Sequence, residues 1–414
     1  MVPTISVMMF SILVSSMLFV CIMWLYFMIC TVRSLRQSPK LGLFPNQTKI
    51  LSFENSPSRV SIIIPARNEE GHIRKCLDSL LNQNYSNVEI VAVNDSSSDS
   101  TREIMQEYYD LNNSKMTIIL VDAEDKPEGW SGKNWACYHG YLRSSGDLFL
   151  FLDADTILLS SSTISMAVAY FRENNLDTLT VKPKLLCQDT WAKITLPMLL
   201  TLLYMRHSVL RIKNPHNKTS GYLYGCFYLI TRKIYEAIGT HRAVKDEIIE
   251  DAAIGRRIRN QNYVLRAVSG DRYIESTFRG RWNVLQRIVV PRYQKRKTAT
   301  KLVATGIFFL TLYPFILLPF LFSPISTLNN NDNDLFFRNV VITINLLAIA
   351  IIISTSLIQL KFGIFENIIY ALASPIAGTI ISLGFIFYII DARINDTLVN
   401  WRGRKYTMLS KRNL

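Results

Sequence analysis

Leu148-Phe149-Leu150-Phe151-Leu152-Asp153-Ala154-Asp155 is the stretch on which the reading of this chain turns. An unbroken apolar run of this length predicts a strand over Asp147 to Leu152. The run ends on two carboxylates one residue apart. Like charges this close repel. A hard divalent cation relieves the repulsion: Mg²⁺ or Mn²⁺ takes one or two carboxylates and completes its shell with water and diphosphate oxygens. The competing reading is that both acids cap a loop or the next helix.

Working outward, the pattern alternates. Val60 to Pro65, Val88 to Val93 and Met116 to Val121 are β-branched runs that predict three more strands. Between them, Glu69 to Gln83 has helical spacing, with Ile73, Leu77, Leu80 and Leu81 on one side. Ser100-Thr101-Arg102-Glu103 reads as a capping box, and Lys133 to Arg143 as a helix. Strands separated by helices of this length predict an open α/β sheet, mostly parallel. Such sheets bind ligands beyond the carboxyl ends of their strands. Those ends are Pro65-Ala66-Arg67-Asn68-Glu69, Asn94-Asp95-Ser96-Ser97-Ser98-Asp99 and Asp153-Ala154-Asp155, all polar or acidic.

Three further features bear on chemistry. Asp95 suits a nucleotide base or ribose, or equally an Asx turn. Gly129-Trp130-Ser131-Gly132-Lys133-Asn134 opens a helix with two glycines and a lysine, which suits phosphate, although it lacks the NTPase P-loop spacing. Glu250-Asp251 offers a general base in the cleft. Acids here and arginines up to Arg259 also simply complement a helix macrodipole.

Composition places this middle region between oily ends. The 414 residues carry a net charge of +14, with 49% hydrophobic and 19% charged residues. That is too oily for a chain soluble throughout, and too hydrophobic for disorder. Six cysteines without a CxxC pair exclude a disulfide scaffold and suggest no zinc. The five histidines show no ligand spacing; only His241 falls near the expected site. Residues 1–32 contain no charge, and three more apolar spans are expected near 302–322, 339–360 and 368–390. Pro314 and Pro319 in the first of these are tolerable where neighbouring helices satisfy the freed carbonyls.

The expected organisation is an anchor over 1–32, a cytoplasmic domain over 33–301, three membrane segments over 302–392 and a basic tail over 393–414. Arg33, Arg36 and Lys40 after the anchor put the domain inside by the positive-inside rule. The basic tail, with Arg402, Arg404, Lys405, Lys411 and Arg412, fits that rule poorly after four spans. Many basic residues flank spans, so the positive charge reads as membrane positioning and not nucleic-acid affinity. A basic helix over Asn283 to Lys301 is expected along anionic headgroups. Leu196 to Leu210 reads as interfacial or as buried core.

Taken together, the segments Ser61 to Glu69, Val93-Asn94-Asp95 with Asp99 and Thr101, Asp153-Ala154-Asp155, Tyr224 to Gly239 and Glu250-Asp251 occur in an order that resembles the membrane-bound family 2 glycosyltransferases, inverting enzymes of the GT-A fold. Gly132-Lys133-Asn134-Trp135-Ala136 and the tail from Asn400 to Tyr406 look closest to the carotenoid and hopanoid branch, with ceramide glucosyltransferases nearby. The resemblance implies that Pro65, Ala66, Arg67 and Glu69 line a nucleotide pocket, with Asp95 on the base or ribose and Lys133 near the nucleotide or diphosphate. It implies Asp153 on the ribose or the metal, Asp155 on Mg²⁺ or Mn²⁺, and Asp251 as general base with Glu250 orienting it or contacting the acceptor. The expected reaction moves one sugar from a nucleotide-diphosphate donor, UDP-sugar favoured, to a membrane lipid acceptor at the cytoplasmic face. The alternatives are a polyprenyl-phosphate sugar synthase or polysaccharide synthase of the same family, or a non-catalytic membrane scaffold. The [QR]xxRW signature is not matched near Arg281-Trp282 and Gln286-Arg287, which speaks against a processive synthase.

Overall fold

The computed structural model describes residues 2–42, 58–111, 116–213, 221–278, 297–321, 332–383, 398–401 and 404–407. These divide into an α/β unit, Gln37–Leu186 with Arg206–Phe278, and a helical unit, Met1–Arg36 with Cys187–Met205 and Arg279–Leu414.

The α/β unit is built on the apolar runs. Strands β1 (Val60–Ala66), β2 (Val88–Asn94), β3 (Thr117–Asp122) and β4 (Leu148–Leu152) pair in parallel in the order β3-β2-β1-β4. Val60, Ile62, Ile63 and Ile64 are fully buried, as a two-faced strand requires. Pairing of β1 with β4 ends at Ile63, so Pro65, which has no amide hydrogen, falls where β1 pairs with β2 alone. Helices α2 (Ile73–Leu81), α3 (Thr101–Asp110) and α4 (Gly132–Arg143) connect them.

Beyond β4 the sheet changes character. β6 (Thr178–Lys182), β8 (Phe227–Thr231) and β9 (Leu265–Ser269) extend it as β4-β8-β6-β9, with β8 antiparallel to both neighbours and β9 parallel to β6. A second sheet holds β5 (Thr156–Leu158), β10 (Ile274–Phe278) and β7 (Lys184–Cys187). Helices α5 (Thr163–Glu173), α7 (Val209–Lys213), α8 (Arg232–Ala237) and α9 (Glu250–Asn260) complete the unit, with α6 given below.

At the amino edge of the sheet, Glu89 is 1% exposed. It accepts from Arg59, the Ser61 and Ser145 hydroxyls and the Ser145 and Gly146 amides. Burial pushes its carboxyl up, but these donors outweigh it and hold the pKa below the usual glutamate value. The charge stitches β1 and β2 to the turn that launches β4.

Two local expectations fail. The helix expected from Glu69 begins at Ile73; the residues before it form a separate turn in which Glu69 O accepts from the His72 and Ile73 amides. The capping box is not made. Ser100 makes no side-chain cap bond; the Asp99 carboxylate accepts from Thr101 N at 3.1 Å and Thr101 Oγ1 at 2.5 Å instead. The Asp99 carboxylate thus takes donors two positions before the Glu103 amide that a capping box would use.

In the helical unit, α1 (Val2–Gln37), α6 (Thr190–His207, to Met205), α10 (Lys297–Leu321) and α11 (Asp332–Ile358) surround a core with Val20, Trp24, Met198, Ala348, Ile352, Ala377 and Ile381. Leu196, Met198 and Leu200 are buried, as the core alternative for that stretch expects. Phe10–Gln37 and Arg338–Ile364 are long and apolar enough to cross a bilayer; Thr305–Leu317 and Ile368–Leu383 are shorter apolar helices. Outward residues such as Ile22, Phe336 and Leu372 are exposed and apolar.

Pro314 removes the amide that would serve the Leu310 carbonyl four residues earlier. Trp24 Nε1 donates to that carbonyl at 2.8 Å, the kind of rescue the sequence demanded. The tail motif gives a hairpin of β11 (Leu398–Trp401) and β12 (Arg404–Thr407). The expected basic helix lies outside the described residues up to 296, as do 384–397 and the extreme tail.

Candidate active site

The loops after β1 and β2 are latched to each other. Asp95 N donates to Ala66 O at 2.8 Å, and Arg67 Nη1 donates to the carbonyls of Asp95 and Ser96 at 2.5 and 2.7 Å. Ser98 N donates to Asn68 Oδ1, and Glu69 N to Thr101 Oγ1. Asn68 and Ser96 both hold positive φ, 54° and 52°, the left-handed region that costs energy outside glycine and that these cross-links over-determine. Asp99 receives Thr101 and the Glu70 amide; burial pushes its carboxyl up, but those bonds win and lower it. Glu69 and Asp95 are buried at 7% and 4% exposure, beneath a rim in which Glu70, Ser96 and Ser98 are exposed.

The centre is Lys133, in the first turn of α4. Its ammonium lies 2.7 Å from Asp153 Oδ1 at the end of β4 and 2.6 Å from Glu250 Oε1 at the start of α9. The Glu250 side chain is 7% exposed, those of Lys133 and Asp153 27% and 31%. Burial disfavours the charged lysine, but the two carboxylates outweigh it and hold its pKa well above the ordinary range. One lysine thus joins two elements that the sequence reading treated as separate acidic motifs.

The other two acids flank this clasp. Asp251 Oδ2 accepts from Gly225 N at 3.2 Å and Oδ1 from Ala252 N at 2.6 Å. A Cβ on Gly225 would lie 3.0 Å from that Oδ2, so glycine permits the approach. Ser276 Oγ on β10 is 3.4 Å from Asp155 Oδ1. Among the described residues no group of three or more His, Cys, Asp or Glu is arranged to hold a metal. Asp153 and Asp155 are two hard carboxylates at one strand end, the kind of donor set that Mg²⁺ or Mn²⁺ completes with water and diphosphate oxygens.

Nearby groups that could compete as catalysts stay neutral. Cys76, Cys137 and Cys226 are buried, and burial pushes each thiol above its ordinary range. His241 is fully buried against Phe151, with Nδ1 2.6 Å from Tyr235 Oη, and burial lowers its imidazole to about 3. It is a core histidine.

Residues 61–239 match the family model for glycosyl transferase family 2. This segment is a family 2 glycosyltransferase domain. It runs from β1 past α8, taking in Lys133, Asp153 and Asp155; Glu250 and Asp251 lie beyond it. A 4,4'-diaponeurosporenoate glycosyltransferase of Staphylococcus aureus (strain N315) is 27% identical over 228 residues, 54% of this chain and 57% of its own. The chain thus spans about half the length of the curated relatives it matches. A mannosyltransferase of Pyrobaculum calidifontis, solved in complex with GDP-Man and Mn²⁺, superposes with a TM-score of 0.51 at 14% identity, covering 92% of this chain and 99% of its own. The glycosyltransferase domain has the GT-A fold.

Several site features carried no sequence signal. Nothing announces that Asn134 reaches the loop before α9, that Gly225 N serves Asp251, or that Ser276 faces Asp155. The partners lie far apart in sequence, and only the sheet order brings them together.

Proposed function

We propose that this chain moves a single sugar from a nucleotide-diphosphate donor, a UDP-sugar by preference, to a hydroxyl or carboxyl of a membrane lipid, with inversion at C1. The observation that carries the reading is the Lys133 clasp, which draws the Asp153 strand end and the Glu250-Asp251 helix start to one edge of the sheet. Pro65, Ala66, Arg67 and Glu69 would line the nucleotide pocket, with Asp95 on the base or ribose. Asp155, with Asp153, would hold Mg²⁺ or Mn²⁺. Such a cation, when bound, offsets charge building on the departing diphosphate.

The chain's own residues supply the rest. Asp251 accepts the proton of the acceptor hydroxyl as its oxygen attacks C1, and the bond from C1 to the diphosphate oxygen breaks on the opposite face. Glu250 fixes the start of α9, so that the acid beside it faces the acceptor. Lys133 stays cationic beside the leaving diphosphate. The apolar helices Phe10–Gln37 and Arg338–Ile364 suit a chain that meets its acceptor in the bilayer, at the cytoplasmic face. The relative named for diaponeurosporenoate supports an apolar lipid acceptor.

The test is Asp251→Asn in membranes supplied with labelled donor. Lipid labelling should fall by about 10²–10⁴-fold, the usual worth of a positioned acid–base group. Undiminished labelling rejects the base assignment.

A further inference from the structure

Asn134 follows the clasping lysine and is fully buried. Its side-chain amide faces three carbonyls of one loop: Nδ2 lies 2.6 Å from Val244 O, 3.2 Å from Lys245 O and 2.9 Å from Glu247 O. All three are acceptors, so the orientation of the amide is fixed by its surroundings. The Ser131 amide adds a fourth tie, to Lys245 O at 2.6 Å. Asn134 Oδ1 is buried with no hydrogen-bond partner among the described residues. An asparagine that leaves its acceptor unmet while both donors serve one loop is there for that loop.

The loop leads directly into the Glu250-Asp251 pair. It leaves α8 through Gly239 and Thr240, both at positive φ (87° and 55°), makes a tight turn over His241–Val244 and runs into α9. Thr240 is held locally, its amide donating to Tyr235 O and its hydroxyl accepting from Arg242 N. Two consecutive residues of α4 hold the far end of the loop: Asn134 grips the Val244, Lys245 and Glu247 carbonyls and Lys133 grips Glu250.

We propose that Asn134 is a positioning residue: it sets the start of α9, and through it the place of the Asp251 carboxylate, without touching donor or acceptor. The proposal rests on the reading of Asp251 as the base. A displacement of about 1 Å in a reacting group costs on the order of 10²-fold in rate. Asn134→Ala should therefore lower kcat by about 10- to 100-fold while the donor KM and UDP affinity stay near wild type.

The experiment uses the full chain in detergent. It measures deuterium uptake over residues 240–256, UDP titration by calorimetry, and transfer of label from a panel of radiolabelled UDP-sugars to total membrane lipid supplied in the detergent micelles. Expected for N134A is faster uptake confined to that segment, lower kcat and unchanged UDP affinity. Asn134→Ser, which keeps one donor, should fall between N134A and wild type in uptake and kcat, and stands in if N134A does not fold. Unchanged uptake or unchanged kcat overturns the proposal. So does a loss of UDP affinity as large as the loss of kcat, because that would mark general collapse of α4. A fully active Asp251→Asn would reject the base reading, while the uptake measurement still tests the loop by itself.

Discussion

Replacing Lys133 by methionine keeps most of the stem and removes the charge, leaving Asp153 and Glu250 facing each other across the space it filled. The two ion pairs differ in burial. With Glu250 only 7% exposed, the Lys133–Glu250 pair is near the buried limit, where losing one partner costs about 3–5 kcal/mol. The Lys133–Asp153 pair, at 27% and 31% exposure, is partly screened and closer to the surface value of about 1 kcal/mol or less. Packing by the methionine stem recovers part of this, so we expect a net loss of about 2–4 kcal/mol at neutral pH. For a unit of this size that corresponds to about 2–4 °C of melting temperature per kcal/mol. Trp130 and Trp135 flank the first turn of α4, so in a background with the other four tryptophans changed to phenylalanine, fluorescence in detergent follows the unfolding locally. The decisive measurement is the cycle with Glu250→Gln. Neutralising the stranded acid should return about 1–3 kcal/mol, so the double variant is more stable than the sum of the singles. Additivity within about 0.5 kcal/mol would refute the clasp as an energetic unit.

Gly225→Ala puts a Cβ 3.0 Å from Asp251 Oδ2; it should cost about 1–3 kcal/mol through overpacking and slow turnover, and a fully active variant would show that the carboxylate is not held there. His241, lowered by burial to about 3, stays neutral in the folded chain while the unfolded chain takes its proton near 6.5; stability should fall by up to about 1.4 kcal/mol per pH unit as pH drops from 6.5 toward 3, and melting scans of His241→Gln should show that component of the slope gone. Trp24→Phe strands the Leu310 carbonyl and should cost about 1 kcal/mol in detergent melts, less in a Pro314→Ala background where the amide returns.

How much of this was legible follows from range. The four parallel strands were readable because β-branched and aromatic runs such as Ser61–Ile64 and Leu148–Leu152 are buried on both faces and carry their own signal. β6 was not: Thr178-Leu179-Thr180-Val181-Lys182 reads as half-solvated, yet all five residues are buried, Lys182 being tolerated because Asp271 lies 2.9 Å from its ammonium. The antiparallel insertion of β8 pairs Leu148 with Thr231, a contact no local pattern encodes. In the site, residue types were legible and partners were not. Asp153, Asp155, Glu250 and Asp251 announce carboxylate chemistry, but only the crossover that lays α4 beside both acidic loops makes Lys133 the common counter-ion of Asp153 and Glu250. The failed capping box has the same cause in miniature: pattern names Ser100 as the cap, and geometry gives the bond to its neighbour Asp99.

The placement of that lysine answers a folding problem before any ligand arrives. Asp153, Asp155, Glu250 and Asp251 converge on the carboxyl edge of the sheet, and bringing so many anions together opposes folding. Backbone amides at Gly225 and Ala252 hold Asp251. Asp153 and Glu250 need a cation, and Lys133 reaches both from the first turn of α4, where the helix dipole adds its own positive end. Consecutive positions on that turn then divide the work. Lys133 supplies charge to the acids, and Asn134 supplies neutral donors to the loop that carries two of them. A lysine alone would draw Glu250 inward with nothing to set the angle of α9; an asparagine alone would fix the loop with the acids still repelling. On the proposed reading the two contacts share one support, and the place of the Asp251 carboxylate follows from α4 as well as from the Gly225 and Ala252 amides.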